Sequence, residues 1–394
     1  MAAQGLRFTD GYSNSPVCSP TRFALATGRW QYRLRGGADE PINSRNARAS
    51  PVLGLPPGHP TLASLLQEAG YTTALIGKWH LGFAPNFGPL KSGYGEFFGP
   101  MSGGVDYFSH RDSGGKHDLF ENEQEVQLKG YLTDLISERA ISFVRRPHRK
   151  PFLLSLHYTA PHWPWESRDD EAEAKRIESI SHVDGGSVAT YLKMIRHMDE
   201  GIGTLLAALP ENTLVIFTSD NGGERFSDTW PLVGKKMDLL EGGIRVPYVV
   251  RWPGQVPAST STTQLAMTMD WVPTFLEAAG VAPHPDYPLD GVSLLNNLRR
   301  PEEVIERELF WRMKFREQRA MRAGKWKWLS IEGNEFLYDL ATDARERANL
   351  RYRHPDVFNR LRDAYAAWHA GVPPIPDDAK VSLVYGPADM AQPS

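Results

Sequence analysis

The stretch Leu214-Val215-Ile216-Phe217-Thr218, followed directly by Ser219-Asp220-Asn221-Gly222-Gly223, indicates the class of fold. Its first half is apolar without polar alternation, which is typical of a strand buried on both faces, and its second half is a polar, glycine-rich turn. Three further stretches have the same apolar character: residues 71–76, 151–156 and 246–250. These four segments are predicted to be strands.

Helical patterns separate these strands. Residues 61–70 begin with a capping-type threonine and end on glycine, and apolar residues recur at spacings of three and four through residues 188–209. Residues 270–280 predict another helix, with Asp270 as its cap and Gly280 as its stop. Buried strands alternating with helices predict an α/β fold with a mostly parallel central sheet sandwiched by helices. Ligands bind such sheets at the carboxyl ends of the strands.

The pattern changes after about residue 300. Short, aromatic-rich strands are predicted at residues 308–313, 319–323, 326–331 and 336–340, followed by a helix over residues 355–369. We therefore predict a main α/β domain over residues 1–300 and a small C-terminal α+β subdomain with an antiparallel sheet over residues 301–394.

Composition excludes several classes of function. The net charge of -3 over 394 residues gives no electrostatic attraction to nucleic acid or to anionic membranes. There is no run of 18 apolar residues, and the first residues lack the pattern of a secretion signal. The single cysteine, Cys18, excludes an internal disulfide and a cysteine-based zinc site. We expect neither a nucleic-acid nor a membrane partner.

The segment around Cys18 carries the strongest functional signal. Cys18-Ser19-Pro20-Thr21-Arg22, followed by Ala26-Thr27-Gly28-Arg29, resembles the signature of the type I sulfatases of the alkaline phosphatase superfamily. The resemblance implies that a formylglycine-generating enzyme converts Cys18 to Cα-formylglycine, and that the hydrated aldehyde attacks sulfur to form a covalent sulfo-enzyme intermediate. Arg22 lies four residues on, so it shares a face with Cys18 if Cys18 opens a helix, and would stabilise the ionised diol.

Two histidine-containing segments resemble further signatures of the family: Gly77-Lys78-Trp79-His80-Leu81-Gly82 and Ala160-Pro161-His162-Trp163-Pro164. The resemblance implies that Lys78 contacts sulfate and that His80 takes a proton during sulfate release. His162 would contact sulfate and act as general acid for the leaving alcohol. The spacing of Lys78 and His80 sends both side chains the same way if the backbone is extended.

A lysine five positions before Glu241-Gly242-Gly243 resembles the last active-site segment, and this spacing selects Lys236 over Lys235. The resemblance implies that Lys236 binds sulfate and stabilises the leaving oxygen.

Asp220 and Asn221 offer hard oxygen ligands at a strand end, suited to calcium or, less well, magnesium. The resemblance makes them two of four protein ligands of a calcium ion, the others being adjacent aspartates that end a strand preceding the cysteine. Only 17 residues precede Cys18 here, and no Asp-Asp is among them. A start codon assigned too far downstream or a fragment of a longer chain explains this better than true loss of the strand. We expect weak calcium binding and little activity from the chain as given, and activity from a version extended upstream.

The implied substrate is an aryl or carbohydrate sulfate. One alternative is a phosphonate monoester or phosphodiester hydrolase that uses the same formylglycine. Another is an inactive homologue that binds sulfated glycans. Location is left open, because an export signal would lie upstream of Met1; a periplasmic or secreted parent protein fits the family.

Overall fold

A computed structural model describes residues 1–391 of the chain. The strands are β1 Leu6–Phe8, β2 Gly11–Tyr12, β3 Thr72–Gly77, β4 Glu96–Gly99, β5 Phe120–Glu121, β6 Gln124–Glu125, β7 Phe152–His157, β8 Val215–Phe217, β9 Tyr248–Arg251, β10 Thr260–Thr262, β11 Ala266–Met267, β12 Glu308–Arg312, β13 Arg319–Ala323, β14 Trp326–Ile331 and β15 Asn334–Asp339. The helices are α1 Cys18–Thr27, α2 Ser44–Ala47, α3 Leu62–Glu68, α4 Leu132–Arg145, α5 Glu171–Arg176, α6 Val188–Ala208, α7 Glu241–Ile244, α8 Trp271–Ala279, α9 Leu295–Arg299 and α10 Pro355–Ala370.

The chain divides by its packing into two compact units, each built from separate segments. Unit 1 consists of Met1–Pro41, Glu211–Gly280 and Pro288–Val381. Unit 2 consists of Ile42–Pro210, Val281–Tyr287 and the segment that begins at Ser382. The division at residue 300 that the sequence suggests follows the change in secondary structure and stays a prediction.

Unit 1 contains a mixed sheet in the order β10-β1-β9-β8. Strand β1 pairs parallel with β10 and antiparallel with β9, which pairs antiparallel with β8. Leu6 and Phe8 of β1 are buried in a core with Tyr248, Val250 and Trp271. Strands β12 to β15 form the predicted antiparallel sheet, and α10 packs on β13 and β14. The C-terminal sheet therefore belongs to the same unit as α1.

Unit 2 is built on the parallel strands β4, β3 and β7, with β5 and β6 added antiparallel at one side. Helix α4 buries Leu132, Ile136, Ala140 and Phe143, a spacing of three and four that gives one apolar face, and it packs on β3 and α6. None of the described helices combines the length and the apolar character that crossing a membrane requires.

The four predicted strands are confirmed as β3, β7, β8 and β9, and the predicted helices as α3, α6, α8 and α10. Two details differ. The strands lie in two sheets of mixed direction, because apolar runs report burial and not the direction of the neighbouring strand. Asp270 precedes α8, but its carboxylate accepts from the Met267 N–H at 2.6 Å and pairs with Arg307 instead of capping that helix. The ion pair with Arg307, which is distant in sequence, therefore takes the place of a helix cap.

Candidate active site

Helix α1 begins at Cys18, as is needed for Cys18 and Arg22 to share one face of a helix. Val17 is extended before it, and the buried Cys18 side chain joins the apolar core of unit 1. Arg22 lies one turn further along the same face, so its guanidinium and the Cys18 side chain project from one side of the helix. The helix ends at Thr27, where Gly28 takes the left-handed conformation that usually stops helices.

Arg22 connects this helix to the turn after β8. Its Nε lies 2.8 Å from Oδ2 of Asp220, with side chains 8% and 23% exposed respectively. The next residue, Asn221, donates from Nδ2 to the Gly222 carbonyl at 2.9 Å, which orients its amide and presents Oδ1 as an acceptor. The cysteine-bearing helix and both candidate metal ligands are therefore neighbours in unit 1.

The side-chain oxygens of Asp220 and Asn221 are of the type that calcium binds, but there are too few of them to complete a calcium site. Calcium takes six to eight oxygen ligands, of which Asp220 and Asn221 supply two. Within residues 1–391, no group of three or more histidine, cysteine, aspartate or glutamate side chains is arranged to hold a metal ion.

Lys236 is held close to the same turn. Its backbone N–H donates to the Gly223 carbonyl at 2.7 Å, and its side chain is buried, whereas Lys235 is partly exposed. Met237, which follows, has a φ of 79°, a strained backbone for a residue with a side chain. Burial thus favours Lys236, the lysine that the spacing selects.

Glu224 is a neighbour of Lys236 that the sequence analysis missed. Burial raises the pKa of its carboxyl group, and Lys236 is the charge that most opposes this rise. Glu224 directly follows the Asp-Asn-Gly-Gly turn, but nothing in the sequence shows that the chain returns to it twelve residues later, at Lys236.

Lys78 and His80 follow β3 in unit 2, and both side chains are buried. The Lys78 N–H donates to the His157 carbonyl at 2.7 Å, which ties the segment to the end of β7. The assumption of an extended backbone fails at His80, whose φ is 59°, so the two side chains are not related by simple strand alternation. Non-glycine residues in this region are often strained and cluster at functional sites.

The hydrogen bonding of His80 determines its tautomer. Nε2 lies 2.8 Å from the backbone carbonyl of Ile42, which can only accept, so Nε2 carries the proton. Nδ1 then holds a lone pair, and it is buried without a hydrogen-bond partner among the described residues. The imidazole is thus set up to accept a proton at Nδ1.

His162 lies after β7 and is half-buried. Its Nδ1 lies 2.8 Å from the Trp163 carbonyl and must donate to it, so any proton transfer would take place at Nε2. The Tyr107 hydroxyl donates to the His162 carbonyl at 2.9 Å and fixes the backbone.

A loop with two adjacent glycines packs on both histidine rings. A Cβ at Gly103 would lie 2.3 Å from Cε1 of His80, and one at Gly104 would lie 2.9 Å from Cε1 of His162. This loop was not among the residues predicted from the sequence, although consecutive glycines often mark a close approach of the backbone to another group.

Behind this loop, Glu166 accepts from the Tyr107 N–H at 3.1 Å. Burial, reinforced by the neighbouring Asp106 carboxylate, raises the pKa of Glu166 to about 9. Glu166 therefore carries a proton at neutral pH.

The structure thus places the predicted residues in two groups. Unit 1 contains Cys18, Arg22, Asp220, Asn221 and Lys236. Unit 2 contains Lys78, His80 and His162. Each group is linked internally by short hydrogen bonds or by a shared packing loop.

Comparison with known proteins gives the following similarities. A sequence model of the sulfatase family matches residues 1–281, and a model described as N-sulphoglucosamine sulphohydrolase, C-terminal, matches residues 230–363. The chain is 33% identical over 341 residues to the N-acetylgalactosamine-6-sulfatase of Rattus norvegicus, with 79% of this chain and 62% of the rat protein covered. It is 31% identical over 360 residues to the arylsulfatase G of Mus musculus, with 79% and 65% covered. The chain thus spans less than two thirds of the length of these relatives.

Among solved structures, the chain is similar to Ps i-CgsB in complex with k-i-k-neocarrahexaose. The TM-score is 0.81 at 30% sequence identity, and the alignment covers 93% of this chain and 85% of the other.

Proposed function

The chain belongs to the sulfatase family and has the α/β fold of the alkaline phosphatase superfamily, and on this basis we propose that it hydrolyses a sulfate ester with a formylglycine derived from Cys18. One observation carries the proposal: Cys18 opens α1, and Arg22, one turn later on the same face, pairs with Asp220 at 2.8 Å. A cysteine that only fills space in the core does not account for the Arg22–Asp220 pair on the same helix face.

Arg22 and Lys236 supply the positive charge that the overall net charge of -3 does not. Both are buried, where low dielectric strengthens their attraction for an anionic sulfate and for charge that develops during the reaction. Lys78 is also buried, and the family resemblance assigns it a sulfate contact. When hydrated, the formylglycine aldehyde supplies two hydroxyl groups on one carbon, one to attack sulfur and one to expel sulfate.

The two histidines would move protons at opposite ends of the reaction. His80 presents a lone pair at Nδ1, which suits a base that accepts a hydroxyl proton. His162 would give a proton from Nε2 to the leaving alcohol while its Nδ1 stays bonded to the Trp163 carbonyl. To act as the acid, His162 would carry a proton on both ring nitrogens, whereas His80, to act as the base, would carry one on Nε2 alone.

A sulfated carbohydrate is the substrate class that the relatives support. Similar proteins are named N-acetylgalactosamine-6-sulfatase, and a similar structure was determined in complex with k-i-k-neocarrahexaose. Calcium, held by Asp220 and Asn221 together with further oxygen ligands, is proposed as the metal, and a formylglycine-generating enzyme as the maturation partner.

The direct test is turnover of an aryl sulfate by the full-length protein, co-produced with a formylglycine-generating enzyme. We expect calcium-dependent turnover, loss of activity in Cys18→Ala, and an aldehyde or its hydrate in the Cys18 peptide by mass spectrometry. A converted Cys18 without turnover of any aryl or carbohydrate sulfate would contradict the proposal.

Two alternatives have distinct outcomes in the same assay. Faster turnover of an aryl phosphonate ester than of the aryl sulfate would identify a phosphonate monoester hydrolase. Tight binding of a sulfated glycan that Cys18→Ala leaves unchanged, without turnover, would identify a binding protein.

A further inference from the structure

A fully buried ion network in unit 1 lies outside the residues assigned above. Its central cation is Lys327 on β14, whose Nζ lies 2.9 Å from Oε1 of Glu241 and 2.8 Å from Oε1 of Glu346. All three side chains are 0% exposed. Burial, together with the neighbouring Glu241 carboxylate and against the attraction of Lys327, raises the pKa of Glu346.

Glu241 is held at each of its polar groups by residues distant in sequence. Its Oε2 accepts from the Tyr12 hydroxyl at 2.6 Å, and its backbone N–H donates to Oε2 of Glu346 at 2.7 Å. Arg322 on β13 bonds to the same Tyr12 hydroxyl and pairs with Asp10 at 2.7 Å. The network therefore fixes Glu241 in position and orientation.

The two glycines after Glu241 hold the turn that carries the candidate metal ligands. The Gly222 N–H donates to the Gly243 carbonyl at 2.8 Å and the Gly223 N–H to the Gly242 carbonyl at 3.2 Å. A Cβ at Gly222 would lie 2.0 Å from the Gly242 oxygen, so the two backbones approach as closely as glycine allows. Gly223 in turn accepts from the Lys236 N–H at 2.7 Å.

The C-terminal sheet holds the same loop at a second point. Gln318, buried just before β13, accepts from the Leu239 N–H at 2.9 Å and donates to the Met237 carbonyl at 2.8 Å. These bonds flank the strained backbone at Met237, directly after Lys236.

We propose that Lys327 is a positioning residue for the proposed sulfatase reaction, acting through Glu241 to hold the Asp220–Asn221 turn and Lys236 in place. Buried ion pairs contribute little net stability compared with apolar residues of the same volume, so stability alone does not account for this network. A hydrogen bond from Lys327 to Glu241 and an ion pair with Glu346 do specify position, which an apolar side chain cannot do.

The test compares Lys327→Met with Lys325→Met. Lys325 lies two residues earlier and pairs with Asp339 at 2.7 Å, but its side chain is 52% exposed, so its loss removes an ion pair without disturbing the network. Amide hydrogen exchange reports the position of the backbone without requiring turnover, and kcat and KM for an aryl sulfate report function.

In Lys327→Met, we expect peptides covering residues 219–224 and 234–245 to exchange at least tenfold faster while β12 to β15 keep their protection. We expect kcat to fall at least tenfold. Lys325→Met should change neither quantity by more than twofold. Unchanged exchange in the two peptides would overturn the proposal. Equally faster exchange throughout unit 1 would also overturn it, because it would show that the substitution destabilises the whole unit and not this loop.

Glu346→Gln provides a milder variant if Lys327→Met does not accumulate as folded protein. It keeps the side-chain shape and the Lys327–Glu241 pair but weakens one anchor, so the same peptides should exchange two- to fivefold faster; no change would again overturn the proposal. Because the exchange result does not need turnover, an inactive wild-type protein would refute the proposed function and leave this inference testable.

Discussion

Replacing Gly103 by alanine should displace the imidazole of His80. The added Cβ would lie 2.3 Å from Cε1, whereas ordinary van der Waals contact begins near 3.4 Å, so the ring must move by about 1 Å. The ring is buried and bonded to the Ile42 carbonyl at 2.8 Å, so movement stretches or breaks that bond. A misplacement of about 1 Å costs on the order of 100-fold in rate, and we expect that loss in kcat.

Because His80 is assigned to sulfate release, alcohol should still be released in the first turnover. Rapid-mixing kinetics with an aryl sulfate should therefore show a burst of product followed by a slow steady state, with KM falling along with kcat and kcat/KM little changed, because kcat/KM reports only the steps up to alcohol release. Gly88→Ala is the matched control, because its Cβ would meet only the end of the Met101 side chain, at 3.9 Å. A folded Gly103→Ala protein with kcat within threefold of wild type would refute the reasoning.

Three further substitutions test other parts of the site. Glu166 keeps its proton until about pH 9, whereas an unfolded glutamic acid loses it near pH 4.5, so its stabilising contribution is complete below pH 4.5 and is lost as pH rises towards 9. Relative to Glu166→Gln, the wild-type free energy of unfolding should fall by about 1.4 kcal/mol per pH unit between pH 6 and 8; parallel profiles in chemical denaturation would contradict this. Arg22→Ala should lower the free energy of unfolding by about 2–3 kcal/mol, because the Asp220 carboxylate loses its hydrogen-bonded cation. Chemical denaturation measures this change. Arg22→Lys should restore the stability but not the turnover. Lys236→Met should lower kcat by about 100-fold in steady-state assays and Lys235→Met by less than twofold, and the reverse order would show that the spacing selects the wrong lysine.

The sequence predicts the elements of the fold well, because the main strands and helices carry strong periodicity. The run at residues 214–218 is continuously apolar, and apolar residues recur at spacings of three and four over residues 188–209, so both segments can be assigned from the sequence. Strand β1, Leu6–Phe8, is only three residues long and has one exposed position, and it was not predicted. Short strands depend on their partners, which a single sequence does not reveal.

The candidate site is predictable where residue types occur in a fixed spacing and not where they meet through space. Cys18 and Arg22 are four residues apart, so one helix brings them together. Lys327 and Glu241 are 86 residues apart, and no local pattern marks a lysine in a strand as buried. The role of the loop at Gly103 likewise becomes visible only in the structure, where the His80 ring packs against it.

The bond between His80 and the Ile42 carbonyl has a consequence for how this protein tolerates change. The acceptor belongs to the backbone, so no substitution at position 42 can remove it, whatever side chain is introduced. The tautomer of His80 is therefore protected from point mutation at its partner, unlike a histidine oriented by an aspartate. It is exposed instead to insertions and deletions near residue 42, which would shift the carbonyl. Length variation in that segment, more than residue identity, should separate active from inactive descendants of this chain.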